Sequence, residues 1–425
     1  MPRVMDDPTS EFAITGLNER GDGIAEGGVI VPGALPGERV LAALDGRRAR
    51  LIEVREASPE RAAPICRYYG ECGGCAVQHM APRLYSEWKR DTLIRSLART
   101  RVEANVAALV DAHGEGRRRA TFHSRILEDG RERVGFMRAR AHVIVAIDGC
   151  PLFRPGLAGA IEAARALAGA VRGAGKSLDI QTTATLGGLD VDLRGSGPLE
   201  PAARRKLVEV AQRLNLARVA NHGEVVIERR PPQVAFGEAR VTPPPGGFLQ
   251  ATLAGENTLA EGAAAALRGA RRVADLFCGA GAFALRLAQS HEILAVDADA
   301  AAIAALKRGA ANATGLRAIR TETRDLFQRP LRPDELDGFE GVLFDPPRVG
   351  AEAQSSALAA SRVPLVVAIA CNAETFARDA RILVEGGYAI GEVTPLDQFR
   401  FSPHVEILAT FRRPTVKRRA RGVLG

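Results

Sequence analysis

Cys371 follows the apolar run Leu365-Val366-Val367-Ala368-Ile369-Ala370 and opens the segment Cys371-Asn372-Ala373-Glu374-Thr375, and a later segment reads Pro403-His404-Val405-Glu406. An unbroken apolar run of this length reads as a buried parallel strand, which puts Cys371 at its carboxyl end, where open α/β sheets bind ligands. Asn372 and Thr375 can cap a following helix over 376–384, whose N-terminal field is expected to lower the thiol pKa. A soft thiolate meets a specific chemical need. Carbon 5 of uracil is too weak a nucleophile to take a methyl group from a sulfonium unless a thiolate first adds to carbon 6 and creates an enolate. A base must then remove the carbon 5 proton so that sulfur can leave. Glu406 is the candidate base, and His404 either hydrogen-bonds substrate or supports the loop. Taken singly, a strand-end cysteine is an ordinary small buried residue and a lone glutamate a solvated one. Their coincidence with the motifs that follow is what gives them weight.

Those motifs belong to a nucleoside site. Val273-Ala274-Asp275-Leu276-Phe277-Cys278-Gly279-Ala280-Gly281 reads as a strand entering a glycine loop, with a helix over 284–288 after it. The next strand, Ile293-Leu294-Ala295-Val296, ends in Asp297, whose carboxylate can accept both hydrogen bonds of a ribose diol. A later strand, Gly341 to Phe344, ends in Asp345-Pro346-Pro347-Arg348, and two prolines there make a rigid wall beside a reacting group. That element suits methyl transfer and has no evident use in hydride transfer.

A second constellation lies far upstream. Cys66, Cys72 and Cys75 form C-x5-C-G-G-C, and Cys150 follows in Gly149-Cys150-Pro151. Four thiolates can close a zinc site or hold a [4Fe-4S] cluster. One close pair with two separated ligands favours iron-sulfur, because structural zinc usually shows two paired knuckles. His79 could replace Cys150 in a zinc site.

The elements that must carry these residues fall into three stretches of a 425-residue chain, as expected at roughly 150 residues per domain. Residues 1–58 alternate short apolar runs with turn pairs such as Gly27-Gly28 and Pro32-Gly33, the pattern of a small β-barrel. Residues 59–242 mix strand-like and helical segments, an α+β domain with helices near 84–97, 157–171 and 201–214. After Pro243-Pro244-Pro245-Gly246-Gly247, residues 243–425 read as regular βαβ, an α/β Rossmann-like class. Lys plus Arg at 58 against Asp plus Glu at 50 gives a net charge of +8, which permits a polyanionic partner without establishing one. Neither a signal peptide nor an apolar run of about 18 residues is evident, so the expectation is a cytoplasmic protein with no membrane attachment and no obligate protein partner.

Taken together the motifs resemble the uracil-C5 RNA methyltransferases, and within them the iron-sulfur-containing 23S rRNA branch with an N-terminal TRAM-like OB barrel. The resemblance rests on the barrel-like front, the C-x5-C-G-x-C with a distal Cys, Phe248-Leu249-Gln250, D-L-F-C-G-x-G, D-P-P-R, C-N-x-x-T-x-A-R-D and the final H-V-E. It implies a class I S-adenosylmethionine methyltransferase domain, Cys371 as nucleophile and Glu406 as proton acceptor. It also implies Gln250, Phe277, Asp297, Asp325 and Asp345 around S-adenosylmethionine, with Asp325 toward the adenine end, and a [4Fe-4S] cluster on Cys66, Cys72, Cys75 and Cys150. An RNA substrate, 23S rRNA in particular, follows from the same resemblance. The chain departs from the family pattern at Ala282, Thr252 and Ala373, and Asp297 stands where Glu is frequent. Methylation of tRNA, an RNA cytosine-C5 methyltransferase using Cys278 as a second thiol, a D-P-P amino-methyltransferase and an RNA-binding iron-sulfur sensor are the competing readings.

Overall fold

The computed structural model describes residues 9–126, 132–171 and 177–414. Its largest sheet has eight strands in the order Ile319–Thr323, Glu292–Asp297, Arg272–Leu276, Gly341–Phe344, Leu365–Ala370, Glu406–Arg412, Ala389–Asp397 and Val110–Asp111. The chain starts at the central strand Arg272–Leu276, winds outward through two parallel strands, then crosses back to Gly341–Phe344 on the other side. That reversal is a topological switch point, and it opens a crevice at the strands' carboxyl ends. Leu365, Val367 and Ile369 feed the core on one face of this sheet, while Val366, Ala368 and Ala370 feed the other. Burial on both faces explains why this stretch is an unbroken apolar run.

The last strand runs against its neighbours, with Ala370 opposite Ile407. An antiparallel strand brings its first residue to the edge where a parallel strand places its last. Glu406 and Cys371 therefore meet at one edge although they come from opposite ends of their strands.

Residues Thr9–Leu17, Gly23–Ala25, Ile30–Val31, Arg39–Asp45 and Arg48–Glu56 form a closed five-stranded barrel around Ile14, Val31, Val40 and Ala42. A seven-stranded sheet with helices Ala160–Ala170 and Pro201–Arg213 packed on it makes the second core.

Residues 82–111 lie in the stretch read as the central domain, yet they pack against the large sheet. Helix Pro82–Arg99 starts with proline at its first turn, where a missing N–H costs nothing. It buries Leu93 and Leu97 against Phe376, Leu383 and Phe411, while Tyr85 and Trp88 pack with Leu35, Val77 and Met80. The Trp88 indole donates to the Asn18 carbonyl of the barrel at 2.9 Å. One helix thus ties barrel, cysteine segment and sheet together.

On that helix Lys89, 1% exposed, donates to the Asp397 carboxylate and to the Phe399 carbonyl at 3.1 Å. The Tyr85 hydroxyl donates to Asp397 Oδ2 at 2.6 Å. Removing one partner of a buried pair strands the other charge, so Lys89→Met is expected to cost about 3–5 kcal/mol. Adding Asp397→Leu is expected to recover part of this, and denaturant unfolding of the three proteins measures both. A single-mutant cost under about 1 kcal/mol would mean the pair is not desolvated in solution.

Candidate active site

The strand register assembles the site. Phe277, Asp297, Asp345 and Cys371 each stand at or just beyond the carboxyl end of a strand in the large sheet, and Glu406 begins the antiparallel one. Between Leu276 and the glycine loop, Phe277 takes a left-handed backbone conformation at φ +62, an uncommon state for a bulky residue that turns the chain sharply at the crevice. Gly281 is left-handed too, and a Cβ there would meet the Leu306 side chain at 2.7 Å. The Gly279 N–H donates to Asp297 Oδ2 at 2.8 Å, and the Asp299 N–H donates to Oδ1 at 2.8 Å, so the ribose-binding candidate is held by backbone on both oxygens. Asp325 accepts from the Phe327 N–H at 2.9 Å, and the Phe327 ring lies 5.4 Å from that of Phe277. All five cofactor candidates except Asp325 lie at a strand end or bond to one that does; Asp325 lies two residues past Thr323.

Gln250 comes from a loop outside the sheet and is pinned at three points. Its backbone carbonyl accepts from Arg118 Nε at 2.9 Å, its Nε2 donates to Asp345 Oδ2 at 2.8 Å, and its Oε1 accepts from Gln398 Nε2 at 2.7 Å. Arg118 is in turn buried against Glu256, which also pairs with Arg286 at 2.9 Å. Sequence reasoning missed Gln398, Arg118 and Glu256, because nothing in their local patterns marks them. It also passed over Asp275, fully buried beneath the loop with neither carboxylate oxygen hydrogen-bonded through its side chain. Burial, then the charges of Asp345 and Asp297, push the Asp275 pKa well up.

Electrostatics at the nucleophile reverse one expectation. Asn372 does cap helix Ala373–Glu385, accepting from the Glu374 and Thr375 N–H groups at 2.9 and 3.2 Å. Thr375 is no cap; its hydroxyl donates to the Arg348 carbonyl at 3.1 Å. The Cys371 thiol is nevertheless pushed up to about 11, by burial first and then by the Glu406 and Asp345 carboxylates, with Arg348 opposing. Burial together with two nearby carboxylates outweighs a helix-end field that carries only about half a charge. Glu406, 2% exposed, is pushed up to about 8 by burial and the Asp345 charge, while Gln398 and Arg348 oppose. Burial holds Asp345 at about 7. His404 is pulled down to about 4 by burial and the Arg348, Lys89 and Arg117 charges, which leaves a neutral imidazole at neutral pH.

Cys66, Cys72, Cys75 and Cys150 line a single cavity of about 250 Å³ together with Gln78, Arg117 and Phe136. Burial and neighbouring sulfurs push Cys75 up to about 12 and raise Cys72 and Cys150. Such crowding of thiols suits a shared cationic centre. Among the described residues no three His, Cys, Asp or Glu side chains converge tightly enough for a lone metal ion. His79 is not among the residues lining this cavity; its Nδ1 is hydrogen-bonded to the hydroxyl of Tyr69, which is. The cysteine loop also touches the catalytic end of the chain: the Ala76 and Val77 N–H groups donate to the Phe401 carbonyl at 2.7 and 3.2 Å.

Comparison with known proteins agrees with this layout. Residues 246–413 match the family described as tRNA (Uracil-5-)-methyltransferase. An uncharacterized RNA methyltransferase of Mesorhizobium japonicum is 45% identical over 97% of this chain and 100% of its own length. The 23S rRNA (uracil(1939)-C(5))-methyltransferase of Halomonas elongata is 33% identical over 97% of this chain and 91% of its own. The fold also matches Pyrococcus abyssi tRNA (uracil-54, C5)-methyltransferase in complex with S-adenosyl-L-homocysteine, with a TM-score of 0.72 at 22% identity, covering 94% of this chain and 99% of that one. With near-complete coverage at these identities, the chain belongs to the uracil-C5 RNA methyltransferases.

Proposed function

We propose that the protein methylates carbon 5 of a uridine in 23S rRNA through a covalent adduct on Cys371, with Glu406 as the base that ends it. The observation that carries this is the antiparallel register that sets Cys371 beside Glu406 at the crevice edge. Bound S-adenosylmethionine supplies the electrophilic methyl group, and Gln250, Phe277, Asp297, Asp325 and Asp345 are the residues that would hold it. The Cys371 thiol gives up its proton to solvent as sulfur adds to carbon 6, and the ring electrons move to an enolate that makes carbon 5 nucleophilic. Once carbon 5 bears the methyl group, Glu406 takes its remaining proton, the carbon 6–sulfur bond breaks, and the thiolate is restored. Buried and beside two carboxylates, the thiol rests protonated before it reacts.

The target base must leave its stack to reach Cys371. Phe248 is 69% exposed two residues before Gln250, with the Arg119 guanidinium 5.5 Å from its ring, and offers a stacking face for an extruded base. The N-terminal barrel has the strand order of an OB-like fold and is read as a TRAM-like RNA-binding module. The four-cysteine cavity is read as a [4Fe-4S] site with a structural role, since methyl transfer moves no net electrons.

The 45% and 33% identical relatives support RNA, and the second supports 23S rRNA. The family description names tRNA, which keeps tRNA as the second reading. A cytosine-C5 enzyme would need a second reactive thiol, and Cys278 is 5% exposed with its pKa pushed well up by burial and by Asp275 and Asp297. Incubation of anaerobically purified protein with labelled S-adenosylmethionine and unmodified 23S rRNA, 16S rRNA or tRNA decides among these. 5-Methyluridine in 23S rRNA supports the proposal; 5-methyluridine in tRNA alone, or 5-methylcytidine, overturns it.

The base also predicts a pH dependence. Glu406 must be ionised to accept the proton, and its pKa is raised to about 8. The elimination rate is therefore expected to rise with pH and level off above about pH 9. A flat profile from about pH 6 to about pH 9 in rapid-quench measurements would assign the proton to another acceptor.

A further inference from the structure

We infer that Gln398 is a positioning residue for the final step, holding the Glu406 carboxylate where it can reach the carbon 5 proton and locking it through Gln250 to Asp345. This rests on the covalent mechanism proposed above. Gln398 is 0% exposed. Its Nε2 donates to Glu406 Oε2 at 2.6 Å and to Gln250 Oε1 at 2.7 Å, and its Oε1 accepts from the Ala251 N–H at 3.1 Å. Those partners admit one orientation of the amide. Flipped, it would point oxygen at two acceptors and nitrogen at a donor.

The chain of contacts runs from carboxylate to carboxylate, Glu406 to Gln398 to Gln250 to Asp345, and each carboxylate receives an N–H from a neutral amide. Donors to both ends favour the ionised carboxylates without adding a cation that would quench the base. Gln398 follows Asp397, which the Lys89 and Tyr85 side chains hold, so its backbone has a rigid anchor. Space for the amide depends on Gly255: a Cβ there would lie 2.8 Å from Gln398 Oε1. The Gln398–Glu406 half of this chain can be tested through the step in which Glu406 acts.

The test is single-turnover reaction of the full-length protein with labelled S-adenosylmethionine and an unmodified 23S rRNA transcript, following both methyl incorporation and the protein–RNA adduct on denaturing gels. Gln398→Met is expected to slow release of the adduct roughly 10²-fold, the size of a general-base contribution, and to slow release more than methyl incorporation. Its release should also need higher pH, because the lost N–H no longer favours the ionised base. Glu406→Gln should hold the adduct permanently, and Gly255→Ala should move release in the same direction as Gln398→Met, which covers the case in which Gln398→Met does not fold. Release from Gln398→Met, or from Gly255→Ala if the former does not fold, at the parent rate and pH profile, with Glu406→Gln still trapping adduct, would overturn the inference and leave the mechanism standing. Methylation persisting in Cys371→Ala with no adduct in any variant would overturn the mechanism and this inference with it.

Discussion

Cys371→Ala is expected to abolish 5-methyluridine formation, by on the order of 10⁶-fold, while leaving S-adenosylmethionine and RNA binding within a few-fold of the parent. The size follows from the chemistry: without sulfur at carbon 6 there is no enolate, and carbon 5 does not attack the methyl group. Retention of binding follows from the structure. Cys371 is half-buried at a strand end whose backbone pairs with the final strand, and its side chain supports none of the contacts that pin Gln250, Asp297 or Asp345. Cys371→Ser is expected to be nearly as inactive, because a hydroxyl is a poorer and less acidic nucleophile than a thiol. Nucleoside mass spectrometry of treated 23S rRNA, with equilibrium binding alongside, reads both halves. Turnover within tenfold of the parent would remove the covalent route.

Cys75→Ser is expected to have the second largest effect, on stability and catalysis together. Cys75 precedes Ala76 and Val77, whose N–H groups hold the Phe401 carbonyl. Phe401 is itself in the left-handed region at φ +61, a conformation that needs its surroundings to hold it. Its N–H donates to the Tyr85 hydroxyl at 2.9 Å, so the loop between Gln398 and Glu406 is clamped on one side by helix Pro82–Arg99 and on the other by the cysteine segment. If the proposed cluster ties Cys150 to this segment, losing the Cys75 ligand is expected to cost about 3 kcal/mol, or roughly 6–12 °C in Tm for a unit of this size. Activity should fall at least tenfold through the loosened catalytic loop. Calorimetry, the visible absorbance of the anaerobic protein and methylation rates measure the three effects. If the cavity holds the proposed [4Fe-4S] cluster as a clamp, oxidising or reducing it should leave the chemical step unchanged. A redox-dependent methyl-transfer rate would contradict that role.

Much of the site was legible in the amino-acid order because parallel strands buried on both faces leave a readable trace. Leu365–Ala370 emerges in the fold with the same bounds as its apolar run, and Asp297, Asp345 and Cys371 follow as the polar residues that interrupt such runs. The four cysteines were legible from spacing, and the structure brings them to one cavity. What was not legible depends on contacts between residues far apart in sequence. Helix Pro82–Arg99 carries the charges and aromatics of an ordinary surface helix, so its place against the large sheet, with Lys89 buried on Asp397, does not follow from its pattern. Gln398 has no motif of its own, and its value lies in three partners drawn from two other segments.

The direction of the Cys371 pKa marks the boundary most clearly. Local order determined that a capped helix follows the cysteine, and the helix and its Asn372 cap are there. Only the tertiary structure decided that Glu406 and Asp345 arrive from other strands to face the same sulfur. A helix end is a local feature carrying a fraction of a charge, whereas two carboxylates in a desolvated crevice act through space at nearly full strength. Strand ends, caps and cysteine spacings are written in neighbouring residues; fields, buried networks and the antiparallel register that brings Cys371 beside Glu406 exist only once the chain has closed on itself.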